Sequence, residues 1–203
     1  MFDFLAKGGI LVIPILLCSV IALAIFIERI INFIRMRRKG SGLAEKTARF
    51  LEQGNEKEAL KAVNGSDSPM GNVLAQAMKV KDHDREIIET VMVNATEQEI
   101  RGLSTYLQTL ATIGNIAPLL GLLGTVVGMI KAFMVIQQMG GKVNAAVLAG
   151  GIWEAMLTTA LGLGVALPTI VAHSYLLAQV DRYEARLQNG SVLFIKALGS
   201  EKR

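Results

Sequence analysis

The stretch GLSTYLQTLATIGNIAPLLGLLGTVVGMI, from Gly102 to Ile130, holds no charged residue and is threaded with Gly, Thr and Pro. A second stretch of the same kind, AMLTTALGLGVALPTIVAHSYLLAQV, runs from Ala155 to Val180. A helix needs about 20 mostly apolar residues to cross the roughly 30 Å hydrocarbon layer of a bilayer, and both stretches are long enough. With the earlier apolar run Gly8 to Ile27 they make three spans. Small and polar residues inside the later two distinguish them from a greasy anchor and point to helices packed around something polar.

Bulk composition agrees. The chain has 203 residues, 52% of them hydrophobic, and a mean hydropathy of +0.44. That leaves too little polar surface for a soluble globule of this length, so much of the apolar mass faces lipid or other subunits. The formal charge is +4, but the basic residues alternate with acids and no aromatic-rich basic patch accompanies them, which argues against nucleic acid. Cys18 is the single cysteine, so no intrachain disulfide and no Cys/His metal cluster is expected. No Ser/His/Asp or Cys/His set and no phosphate-binding loop appears; the Gly121-Leu122-Leu123-Gly124 run lies inside a span. Neither an enzyme nor a cofactor is expected.

The first apolar run is not expected to be a cleaved leader. An Ala22-Leu23-Ala24 triplet imitates a cleavage site, but the run continues past it, and the positive flank (Arg29, Arg35, Arg37, Arg38, Lys39) lies on its C-terminal side. By the positive-inside rule this places the N-terminus outside and the residues after it in the cytoplasm. The charge pattern then sets six segments. Residues 1–35 hold the outer N-terminus and first span, 36–105 a cytoplasmic helical segment, 106–137 the second span and 138–150 a short outer link with only Lys142 charged. Residues 151–180 form the third span and 181–203 a cytoplasmic tail.

Breaks within 36–105 are expected at Gly40-Ser41-Gly42, at Gly54-Asn55 and at Asn64 to Pro69, where Ser66 or Ser68 can cap the next helix with Pro69 in its first turn. From Asp84 the apolar positions Ile87, Ile88, Val91, Ala95 and Leu103 recur at helical spacing, which predicts one helix running uninterrupted into the second span. The third span should likewise continue into the tail, with no breaker before Gly190. A lone His173 near its inner end fixes neither a metal nor a nucleophile. The fold class is all-α, a polytopic membrane protein with three spans, two of them extended into the cytoplasm.

Gly114, Pro118, Gly121, Gly124, Thr125 and Gly128 bring small residues to one side of the second span; the third has Thr158, Thr159, Gly162, Gly164 and Pro168. Such faces let helices approach closely in lipid, so Pro118, Gly121, Gly124, Gly128, Gly162 and Pro168 are packing candidates. The hydroxyls of Thr125 and Thr159 can also simply bond back to their own helices.

In their order these residues carry more. Ala117-Pro118-Leu119-Leu120-Gly121-Leu122-Leu123-Gly124-Thr125-Val126-Val127-Gly128-Met129-Ile130, with Gly151-Ile152-Trp153-Glu154-Ala155-Met156-Leu157-Thr158-Thr159-Ala160-Leu161-Gly162-Leu163 and Ala166-Leu167-Pro168, closely resembles the MotA/TolQ/ExbB proton-channel family. With three spans it looks like the ExbB/TolQ branch, since the flagellar MotA branch usually has four. The resemblance implies a homopentamer in the bacterial inner membrane, with a periplasmic N-terminus and a cytoplasmic C-terminus. The ring would surround the single spans of a dimeric ExbD/TolR-like protein that works with a TonB/TolA-like protein. It also implies a proton pathway through Thr125, Thr159 and Glu154, with the titrating acid on the partner. A channel or passive scaffold without motor coupling is the alternative.

Counting at about 1.5 Å per residue from the outer ends puts Thr125 about 18 Å deep and Thr159 about 14 Å deep, nearly one level. Glu154 lies about 140° around its helix from Thr159, so it need not face the same way. Lys131 and Glu154 fall at similar depth, which allows an ion pair between them, a proton-relay role for Glu154, or its placement at the helix N-terminus alone.

Overall fold

In a computed structural model of the chain, residues 9–40, 42–138 and 145–201 are described. The N-terminal end with Lys7 and Gly8, and the link with Lys142, lie outside them, as does Ser41. Every regular element among the described residues is a helix: α1 Val12–Lys39, α2 Leu43–Glu52, α3 Glu56–Asn64, α4 Pro69–Lys79, α5 Arg85–Leu103, α6 Leu107–Gln138 and α7 Ala145–Glu201. Three carry segments long and apolar enough to cross a membrane: Val12–Met36, Leu107–Gln138 and a part of α7 within Leu148–Gly199. Leu119, Leu122, Val126, Phe133, Met156, Leu163, Leu167 and Val171 stand exposed along them, as on helices that meet lipid or other subunits. This is a multi-pass membrane protein.

The chain divides into two compact units. One takes in Met1–Glu28 and Tyr106–Tyr175, the other Arg29–Thr105 and Leu176–Arg203. In the first, α1 buries one narrow face, Val12, Ile15 and Ala22. The buried face of α6 runs Leu107, Leu110, Ile113, Gly114, Ala117, Gly121, Gly124, Gly128 and Ala132, the three- and four-residue steps of a helical stripe. From Ala117 outward that stripe consists of glycine and alanine alone. Both Pro118 and Pro168 sit inside continuous helices.

In the second unit α2 to α5 pack in succession, α2 on α3, α3 on α4 and α4 on α5. The turns between them fall where Gly and Asn cluster. Gly42 and Gly54 take left-handed φ of 78° and 71°, a conformation glycine adopts without strain. Ser68 caps α4 by accepting from the Gly71 N–H at 3.1 Å, with Pro69 in the first turn. The C-terminal part of α7 buries Leu176, Val180, Tyr183, Leu187, Phe194 and Ala197 in this unit. Gly190 does not stop the helix. A Cβ there would run into the Met70 thioether and lie 3.1 Å from Ala44 Cβ, so this glycine admits α2 and α4 against α7.

The uninterrupted helix expected from Asp84 into the second span is not what forms. Helix α5 ends at Leu103 and α6 begins at Leu107, with Tyr106 between them at φ 63°. The cause lies far away in sequence. Arg29 is 6% exposed, and its guanidinium donates to the Gly102 carbonyl at 3.1 Å and the Leu103 carbonyl at 3.3 Å. The last carbonyls of a helix have no partner within it, and here a buried cation supplies one at the dipole's negative end. Replacing Arg29 by Met keeps the length of the side chain and removes these charge-assisted bonds, each worth about 1.5 to 3 kcal/mol. Arg29→Met should therefore lower the melting temperature and speed hydrogen exchange and proteolysis around residues 102–106, whereas Arg35→Met should leave both unchanged.

Candidate functional site

Helices α6 and α7 lie antiparallel, and their contacts form a ladder of small residues. A Cβ on Gly114 would lie 2.9 Å from Ile170 Cγ1; on Gly121, 3.0 Å from Thr159 Cα; on Gly128, 3.2 Å from Ala155 Cβ; on Gly151, 2.6 Å from Ala132 Cβ. A Cβ on Gly162 would come within 2.6 Å of the Ala117 carbonyl oxygen, and one on Gly124 would collide with Thr158. Contacts that move outward along α6 move back along α7. Backbone rests on backbone here, so the register cannot slide without a clash.

That register brings Thr125 and Thr159 to one level. Thr159 Oγ1 donates across the seam to the Gly121 carbonyl at 3.1 Å. In a helix this carbonyl also accepts the Thr125 N–H, so the two threonines meet at one peptide oxygen. Thr125 Oγ1 donates to the Leu122 carbonyl of its own helix at 2.7 Å. Neither threonine is fully buried. Thr158 differs: it is 1% exposed, presses on Gly124, and spends its hydroxyl on the Ala155 and Glu154 carbonyls of α7.

The same register sets Lys131 opposite Glu154. Lys131 Nζ donates to Glu154 Oε1 at 2.8 Å, with side-chain exposures of 52% and 25%. The carboxylate is thus turned towards α6. Of the remaining residues singled out in the sequence, Gly121, Gly124, Gly128 and Gly162 lie in the seam, Pro118 is half-buried and Pro168 is exposed in the single chain. Gly151, the first residue of the second family-like stretch, meets Ala132 at the outer end of the ladder; sequence patterning gave no sign of Gly9, which lies against the Glu154 carboxylate.

The seam lies within a part of the chain that a family model covers. The family model described as the MotA/TolQ/ExbB proton channel family matches residues 65–189. The chain belongs to this family. Its relatives are ExbB proteins: the biopolymer transport protein ExbB of Salmonella typhimurium is 32% identical over 185 residues, 86% of this chain and 75% of that protein. A putative ExbB-like protein of Synechocystis is 29% identical over 203 residues, 99% of this chain and 77% of its own. The putative ExbB homologue of Methanothermobacter thermautotrophicus is 33% identical over 131 residues, 64% of this chain, and the match spans only 46% of the archaeal protein.

Two outcomes check this geometry in the ExbB-like chain. Gly162→Ala sets a methyl against an unyielding backbone oxygen and should destabilise by about 1 to 3 kcal/mol. Gly164→Ala meets nothing within 4 Å and should be neutral or stabilising; thermal unfolding in detergent compares the two. For the ion pair, which is half-exposed on the Lys131 side, Glu154→Gln or Lys131→Met alone should cost about 1 kcal/mol, whereas the double variant should lose no more than either single one in thermal unfolding and assembly yield. Equal, additive losses in the double variant would show that the pair contributes nothing.

Proposed function

We propose that this protein is the proton-channel subunit of an inner-membrane motor. In this reading it draws on the proton motive force, together with a single-span ExbD/TolR-like protein, to drive work in the periplasm. Family membership supports the proton-channel role, and the names of the relatives, biopolymer transport proteins, support a use in transport. The functional assembly in this reading is a homopentamer with its N-terminus in the periplasm and its C-terminus in the cytoplasm. It encloses a dimer of the partner's helices, and a TonB/TolA-like protein carries the work outward.

The observation that carries the proposal is the hydrogen bonding of Thr125 and Thr159 at one level. A hydroxyl has one proton to donate and two lone pairs to accept with. Here both protons are directed at backbone carbonyls, of Leu122 and Gly121. What remains for a visitor is acceptor capacity. A protonated carboxylic acid on a partner helix can donate to these oxygens, whereas an ionised carboxylate meets lone pairs. To serve the ionised form the Thr159 hydroxyl must turn away from Gly121, giving up its bond across the seam. The ring therefore favours the neutral acid in transit and holds no fixed charge that would trap it. A proton then enters on the acid from one side and leaves to water on the other.

Proteoliposomes holding the channel with its partner, given an imposed pH gradient, test this. The Thr125→Val, Thr159→Val double variant keeps the shape of both side chains and should lose most proton uptake, with the native mass still that of a pentamer bearing a partner dimer. Thr158→Val should be milder, since its hydroxyl serves only its own helix. Uptake at the normal rate in the double variant would reduce both threonines to packing residues.

A further inference from the structure

The Glu154 carboxylate has a third neighbour besides its own helix and Lys131. Gly9 precedes the first turn of α1, with φ 71°, and its carbonyl accepts from the Val12 N–H at 3.3 Å. A Cβ built on Gly9 would overlap Glu154 Oε1 and lie 3.1 Å from Cδ and 3.6 Å from Cγ. The oxygen it would strike is the one that accepts from Lys131 Nζ at 2.8 Å. Three helices thus converge on one oxygen: α6 brings the cation, α7 the carboxylate, and the turn before α1 brings a bare α-carbon.

We propose that Gly9 is a positioning residue, whose side-chain-free turn closes over Glu154, holds Oε1 on Lys131 and limits the access of water to the pair. Two features favour glycine here. The left-handed φ is unfavourable for a residue with a Cβ, and a Cβ would have to displace the Glu154 carboxylate from its place. The 25% exposure of Glu154 beside the 52% of Lys131 fits a cover lying on the acid and not on the amine. In a route where Glu154 exchanges protons, this turn decides when the carboxylate meets water, which rests on the proton-channel reading above. The contact itself does not, and it can be tested without any proton flux.

The test is the rate at which a water-soluble carbodiimide modifies Glu154 in the assembled protein, with Glu154→Gln as the unreactive control. Gly9→Ala pushes the carboxylate off Lys131 and strains the turn, so modification should be about tenfold faster, equivalent to the loss of about 1.4 kcal/mol of shielding. Gly9→Asn tolerates the left-handed backbone but still brings a Cβ, and should also accelerate modification. A residue that served the fold alone would alter the melting temperature without this acceleration. Modification at the wild-type rate in either variant overturns the proposal. A second measurement does not depend on those variants folding. In a Cys18→Ser background, Gly9→Cys with Glu154→Cys removes the collision and sets two thiols within bonding reach, so mild oxidation should join them. Absence of that disulfide also overturns the proposal. Rapid cross-linking and modification with unchanged proton uptake would retain the positioning role and remove Glu154 from the proton route.

Discussion

The whole arrangement depends on how closely the backbones of α6 and α7 approach. Between Ala117 and Ala132 the buried face of α6 offers only Gly121, Gly124 and Gly128 besides those two alanines, and Thr158, Ala155 and Gly151 of α7 fill the space. In lipid no hydrophobic force draws helices together, because the tails are as apolar as the side chains; dispersion contacts and a few hydrogen bonds must do it. Such contacts are short-ranged, so they act only where the surfaces fit. Fit of this kind specifies register, and register is what aligns Thr125 with Thr159 and Lys131 with Glu154.

The same closeness explains the polar groups that the seam tolerates. A hydroxyl in hydrocarbon needs a partner, and here every threonine of the pair of helices near the seam finds a carbonyl. Thr169 donates to the Val165 carbonyl at 2.7 Å, Thr158 to that of Ala155, and Thr125 to that of Leu122. Thr159 alone reaches across, to Gly121, and it can do so only because a glycine leaves that carbonyl uncovered. Packing and chemistry are therefore not alternatives at this position. The glycine that lets the helices touch also exposes the acceptor that orients the threonine.

Much of this was legible from residue order, and what was not has a physical cause. The apolar runs, the Gly and Asn breaks between α1 and α4, and the Ser68 cap follow from local rules that need no partner. Equal helical rise was enough to set the two threonines, and the two charges, at matching depths. The interruption at residues 104–106 was not legible, because Ser104, Thr105 and Tyr106 contain no breaker and the group that terminates α5 is Arg29, 73 positions earlier. Gly190 misled in the opposite sense: its role is set by Met70 and Ala44 packing against it, not by its low helix propensity. Gly9 stands at the end of the first apolar run, where a glycine carries no pattern, and only the fold brings it to Glu154.

The distribution of charge along the spans bears on how such a protein works. Between Leu107 and Ile130 and between Ala155 and Val180 there is no Asp, Glu, Lys or Arg, and the charged residues nearest the middle, Lys131 and Glu154, are joined to each other. On the proposed reading, the group that takes up and releases protons at the threonine level comes from a different chain. Such a division has a physical consequence. A carboxylate fixed among α6 and α7 would need its own buried partner in every state, whereas hydroxyls stay neutral whether or not an acid is present. On the proposed reading the ring supplies shape, register and neutral acceptors, and only the mobile element carries charge.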